Sequence, residues 1–86
     1  MLNVAIEKKR VAGKPAVQMA IHSTDPKERQ EVLAFLKGQF RLTPSKKGPS
    51  IVEGVDSVVP VRRAIEERFS NVRFVSMVEL EMLGTV

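Results

Sequence analysis

Two short stretches of the chain concentrate positive charge. KKRVAGK carries Lys8, Lys9, Arg10 and Lys14, and RLTPSKK carries Arg41, Lys46 and Lys47. Neither contains an acidic residue, and both contain the Gly or Pro of a turn or loop. Flexible cations beside exposed backbone amides are suited to phosphate oxygens, which supply affinity without sequence information. These seven residues are the candidate nucleic-acid-binding set. Convergence of the two stretches on one edge of a sheet would make a single phosphate-binding surface.

Other chemistries find less to work with. The single histidine, His22, stands three residues before Asp25. A general base needs a nucleophile or substrate within hydrogen-bond reach, and none is indicated, so no catalytic residue is assigned. One His, no Cys and scattered Asp give no metal-ligand spacing, and no metal or other cofactor is expected. Glu66 and Glu67 follow Arg62 and Arg63 by four residues, the spacing of surface ion pairs on a helix. Glu79 and Glu81 read as the charged edge of a final strand. GPSIVEG lacks the GK[ST] ending of a phosphate loop, and GVDSV lacks the second glycine of a nucleophile elbow. A catalytic role would rest on lysines and carboxylates with no visible organisation.

Composition sets the bounds. Eighty-six residues, 43% hydrophobic, make one small domain with a real core over 1–86. At ordinary per-residue values its stability is about 4 to 13 kcal/mol. Without cysteine there are no disulfides or thiolate sites, which suits a reducing compartment. MLNVAIEKKR has no apolar signal core, and no uncharged run approaches the roughly 20 residues of a membrane span. The expectation is a soluble cytoplasmic protein without a membrane partner. The net charge of +4 is uneven. Residues 1–50 carry ten Lys/Arg against four acids, and 51–86 carry four against six. That asymmetry points to a polyanionic partner or an acidic protein surface.

The elements that must position these residues follow from periodicity. Leu2, Val4 and Ile6 alternate with less apolar neighbours, and Val17, Met19 and Ile21 repeat the pattern. Joined through KKRVAGKP they form an antiparallel hairpin with Lys8, Lys9, Arg10 and Lys14 near its tip. Asp25, Pro26 and Glu28 are N-cap, N1 and N3 signals for a helix whose stripe is Val32, Leu33 and Leu36. Gly38 suits its C′ position, which would stop the helix near Lys37, whereas a helix that ran on would add Phe40 to its stripe. QFRLT and SIVEG read as short strands joined by the basic loop. A second helix starts at Asp56 or Ser57 and buries Val58, Val61, Ile65 and Phe69. NVRFVSMVELEML, residues 71–83, reads as one long last strand.

The resulting class is α+β: a two-layer sandwich in the split βαβ, ferredoxin-like order βαββαβ, preceded by an extra N-terminal strand. That topology hosts many functions and carries none with it. In such a sandwich one sheet face stays open, and Val75 and Met77 would form an apolar interface patch there. Two readings follow. The chain is a small non-catalytic protein that contacts nucleic-acid backbone through its basic hairpin and loop. Alternatively it is a protein-interaction or homodimeric assembly module that uses the apolar sheet face.

Overall fold

Leu2, Val4 and Ile6 can all face one way only if residues 2–11 are extended, and the computed structural model shows this. It describes residues 2–40, 42–46 and 51–83. Strand β1 (Leu2–Val11) and strand β2 (Lys14–Ser23) form a ten-pair antiparallel hairpin running from Leu2↔Ser23 to Val11↔Lys14. The turn is the two-residue Ala12–Gly13, with φ of 52° and 78°. Positive φ at both positions is the requirement of a type I′ turn, whose twist matches that of the strands it joins. The hairpin sets the longest dimension of the molecule, 35 Å, close to the roughly 33 Å of a ten-residue strand.

Helix α1 (Pro26–Phe40) follows, with Asp25 and Pro26 at its start as the sequence predicts. Asp25 Oδ1 accepts from the Lys27 N–H at 3.0 Å. Glu28 does not return to the cap residue. It accepts from the Ser23 hydroxyl at 2.6 Å, while Ser23 Oγ accepts from the Asp25 N–H at 3.1 Å. The stop that Gly38 signals near Lys37 is overrun, because the helix continues through Gly38 to Phe40. Phe40 packs against the same core as Val32 and Leu36, and that burial outweighs the poor helix propensity of one glycine.

Strand β3 is only Thr43–Pro44, and of the strand expected over 39–43, Gln39 and Phe40 belong to the end of α1 and Thr43 to β3. It pairs antiparallel with β4 (Ile51–Gly54). The Ser45 N–H donates to the Ile51 carbonyl at 2.8 Å. Pro44, one residue earlier, therefore points its missing donor off the sheet edge, where no ladder bond is lost. Helix α2 (Val58–Arg68) buries Val61 and Ile65, and Phe69 closes that face, its ring meeting Phe35 edge-on at 5.6 Å between centroids.

The largest departure from expectation is the last segment. Residues 71–83 are not one strand. They are β5 (Val72–Phe74) and a helix, α3 (Met77–Met82). Ser76 is the N-cap, and its Oγ accepts from the Glu79 N–H at 3.1 Å. Leu80 is fully buried, whereas Val78 is 66% exposed. A strand would put the two on the same side.

The sheet order is β3-β4-β2-β1-β5, with β1 and β5 parallel and the other neighbours antiparallel. The fold is α+β, a five-stranded mixed sheet with three helices. It departs from the ferredoxin-like arrangement because the extra first strand does not flank the sheet; it sits between β2 and β5. It also exceeds two layers. The main core joins Leu2, Val4, Val17, Met19, Ile21 and Val52 to α1 and α2. On the opposite face Ala5, Ala20 and Ile51 meet Leu80 of α3.

Two stability outcomes follow. Gly38 lies inside α1 with open space where a Cβ would stand, so Gly38→Ala should stabilise by about 0.5 to 1 kcal/mol, raising the melting temperature by several degrees. Leu80→Ala should destabilise by about 2 to 4 kcal/mol, while Val78→Asp should be nearly silent in the same melts. The reverse ranking would restore the strand reading of 71–83.

Candidate functional site: the basic hairpin arm

The neighbours of the hairpin end before the hairpin does. β5 pairs only with Leu2, Asn3 and Val4, and the last bond on that edge runs from the Val75 N–H to the Val4 carbonyl at 3.0 Å. On the other edge β4 pairs with Val17–Ala20 and ends at Gly54 opposite Val17. From Lys9 and Ala16 to the turn, β1 and β2 pair only with each other among the described residues, as a two-stranded arm with Lys8 at its base. Pro15 sits opposite Arg10 with its ring nitrogen directed to the outer edge, so the ladder loses nothing by its missing N–H.

Four sequence-predicted residues lie on this arm, and strand alternation divides them. Lys8 and Arg10 share the face of Leu2, Val4 and Ile6, toward the two long helices. Lys9 and Lys14 lie on the opposite face, with Val11 paired to Lys14. Lys8, Arg10 and Lys14 are exposed and Lys9 is half-buried. None of the four makes an ion pair or a side-chain hydrogen bond among the described residues. Two arginines elsewhere are engaged. Arg62 donates from Nε to Glu66 Oε1 at 2.9 Å and lies 4.6 Å over the Phe74 ring. Arg68 lies 5.0 Å from the Phe69 ring centre. Glu7 and Glu53, at the root, share the face of Lys9 in one row across Gln18.

The second basic stretch does not join the arm. Ile51 is level with Ala20, seven residues from Gly13, so the Ser45–Ile51 bond lies about 23 Å from the turn at 3.3 Å per residue. Lys46 follows Ser45 at the end of the sheet remote from the arm tip. Arg41 and Lys47 lie outside the described residues. The convergence of the two stretches therefore fails for the member that can be placed, because β3 runs antiparallel to β4 and carries the chain away from the tip.

Val75 and Met77 are half-buried and pack against Ala5, Ala20, Ile51 and Leu80. The open sheet face expected to expose them is covered at that point by the helix to which Met77 belongs. The signal for that helix was in the sequence: Ser76-Met77-Val78-Glu79 is a serine followed three residues later by glutamate, the capping-box pattern. Glu79 and Glu81 accordingly sit on the exposed side of a helix, not along a strand edge.

His22 faces the α3 side of the sheet, opposite Asn3, and its Nδ1 is buried without a partner among the described residues. Asp25 is committed to the cap of α1, so the two form no dyad. A cleft of about 550 Å³ opens under the arm, lined by Ile6, Lys8, Pro15, Val58 and Val59, with Asp56 and Ser57 at the start of α2. Asp56 Oδ1 accepts from the Ser57 N–H at 2.8 Å. The lining holds one cation and one carboxylate but no nucleophile paired with a base. Among the described residues no three His, Asp or Glu are grouped to hold a metal ion, and no helix is long and apolar enough to cross a membrane.

No protein-family model matches this chain, and no curated protein or solved structure is significantly similar to it.

The arm can be stiffened at its tip without touching its charges. Ala12 has a left-handed backbone that a Cβ disfavours, whereas asparagine suits that turn position. Ala12→Asn should stabilise the fold by up to about 1 kcal/mol, read as a higher denaturation midpoint with an unchanged denaturant slope. A lower midpoint would mean that the turn is not type I′ in solution.

Proposed function

We propose that this chain is a small non-catalytic nucleic-acid-binding protein whose hairpin arm contacts the phosphate backbone. The observation that carries the reading is the set of four cations of the hairpin, Lys8, Lys9, Arg10 and Lys14, none with an acidic partner among the described residues. Lys9, Arg10 and Lys14 stand on a ladder that runs past the last pairs of β4 and β5, and Lys8 stands at its base. Charges held this way can replace counterions on a polyanion without first breaking internal ion pairs.

The aromatic residues decide what the arm contacts. Base recognition in single strands relies on aromatic platforms, and stacking is worth about 1 to 3 kcal/mol per base. The four phenylalanines, Phe35, Phe40, Phe69 and Phe74, all pack against the main core, and none is on the arm. Backbone contact is what remains, and with it weak sequence preference.

Binding of labelled nucleic acid across a salt series tests this. Four phosphate contacts on duplex DNA should give a slope of log affinity against log salt of about −3.6. Replacing Lys8, Lys9, Arg10 and Lys14 together by Gln should abolish binding and leave the melting temperature near that of the parent. Lys46→Glu, at the far end of the sheet, should leave the slope nearly unchanged. Equal binding by the four-site variant, or no binding by the parent at low salt, would refute the proposal.

A further inference from the structure

We infer that the arm is shaped to enter the major groove of B-form duplex DNA tip-first as a two-stranded ribbon; the inference rests on the phosphate-contact reading above and narrows it to one nucleic-acid form. Length comes first. The two-stranded arm runs from Lys9 to Val11 on one strand, two steps or about 7 Å at 3.3 Å per residue, with the Ala12–Gly13 turn beyond it. The major groove is about 8.5 Å deep and 12 Å wide and admits a two-stranded ribbon, whereas the minor groove, about 6 Å wide, does not. A sheet is about 10 Å through its side chains, judged by the spacing of packed sheets, which leaves it a close fit between the groove walls.

Charge placement agrees with this. Both walls of a groove are lined by phosphates, so a ribbon inserted between them needs cations on both faces. Alternation supplies them, with Lys8 and Arg10 on one face and Lys9 and Lys14 on the other. A ribbon laid flat on a single strand would use only one of these pairs.

The backbone adds a third element. Val4 turns its carbonyl toward β5, where it accepts from the Val75 N–H. With a period of two, Ile6, Lys8 and Arg10 turn their N–H groups to the same outer edge, and β5 has already ended there. These N–H groups have no partner among the described residues, and backbone amides are ordinary phosphate donors. At the tip, Val11 is 55% exposed beside Ala12 and Gly13. Small apolar side chains fit between groove walls but offer no hydrogen bonds to base edges, so little sequence preference follows. An A-form RNA duplex should be a poor ligand, because its major groove is deep and narrow.

The test compares four labelled probes at one salt concentration and across a salt series. They are a short DNA duplex, the RNA duplex of the same sequence, one of the DNA strands alone, and the DNA duplex with glucosylated 5-hydroxymethylcytosine filling the major groove. The unmodified DNA duplex should bind at least about tenfold more tightly than the other three. Equal, salt-dependent affinity for all four would overturn the groove assignment and leave phosphate contact standing. A preference for RNA, for the single strand or for the glucosylated duplex would also overturn it. Absence of binding to every probe at low salt would overturn both.

Discussion

Everything in this fold depends on the register of the β1–β2 ladder. Ten pairs with a fixed offset put Leu2, Val4, Ile6, Val17, Met19 and Ile21 on one face, and Asn3, Ala5, Glu7, Gln18, Ala20 and His22 on the other. A slip of one residue would reverse both sets and turn the main core to solvent. The Ala12–Gly13 turn holds the register from one end, since a two-residue loop with both φ values positive leaves no slack for a slip. The core holds it from the other end. Leu2, Val4, Met19 and Ile21 are almost wholly buried, and no other register buries all four.

The same ladder explains how the second face is closed. Ala5 and Ala20 are directly opposite each other, and two methyl side chains leave a shallow depression in the sheet. Leu80 fills it, supported by Ile51 on β4. A helix of only six residues has little stability of its own in water. Burial of this leucine, together with the Ser76 cap, gives α3 the support its length cannot supply. The chain thus crosses from one sheet edge onto the second face within two residues, Val75 and Ser76.

That crossing also shapes the arm. Had β5 continued past Phe74, it would have paired with β1 beyond Val4 and sheathed the outer edge of Lys8 and Arg10. The Ser76 cap ends the strand and turns the chain away, so one local event both covers the second face and leaves the outer edge of β1 beyond Val4 unpaired among the described residues. On the opposite edge β4 is short and stops at Gly54. An unpaired strand edge invites association, and lysines along it are a common protection. The arm's cations serve that end whatever else they bind, since two such edges brought together would oppose like charges.

Much of this was legible in the residues alone. Alternation located the hairpin, and Asp25-Pro26 with Glu28 located the start of α1. The 3-4-4 spacing of Val58, Val61, Ile65 and Phe69 defined the buried face of α2. These signals are local: caps, turns and periodicities act over a few residues and need no distant partner. The end of α1 stayed open in the sequence because Gly38 is a local stop signal that the burial of Phe40 overrides. Residues 71–83 were misread because a run of Val, Phe and Met favours a strand until Leu80 finds the depression between Ala5 and Ala20, a contact between chain segments some sixty residues apart. Of the candidate site, the sequence determined which cations exist and that four of them share a hairpin. Whether the arm stands bare, how its charges divide between two faces, and that Lys46 lies at the remote end of the sheet were decided only by the tertiary structure, because each depends on where neighbouring strands begin and end, and that is set by long-range pairing and burial.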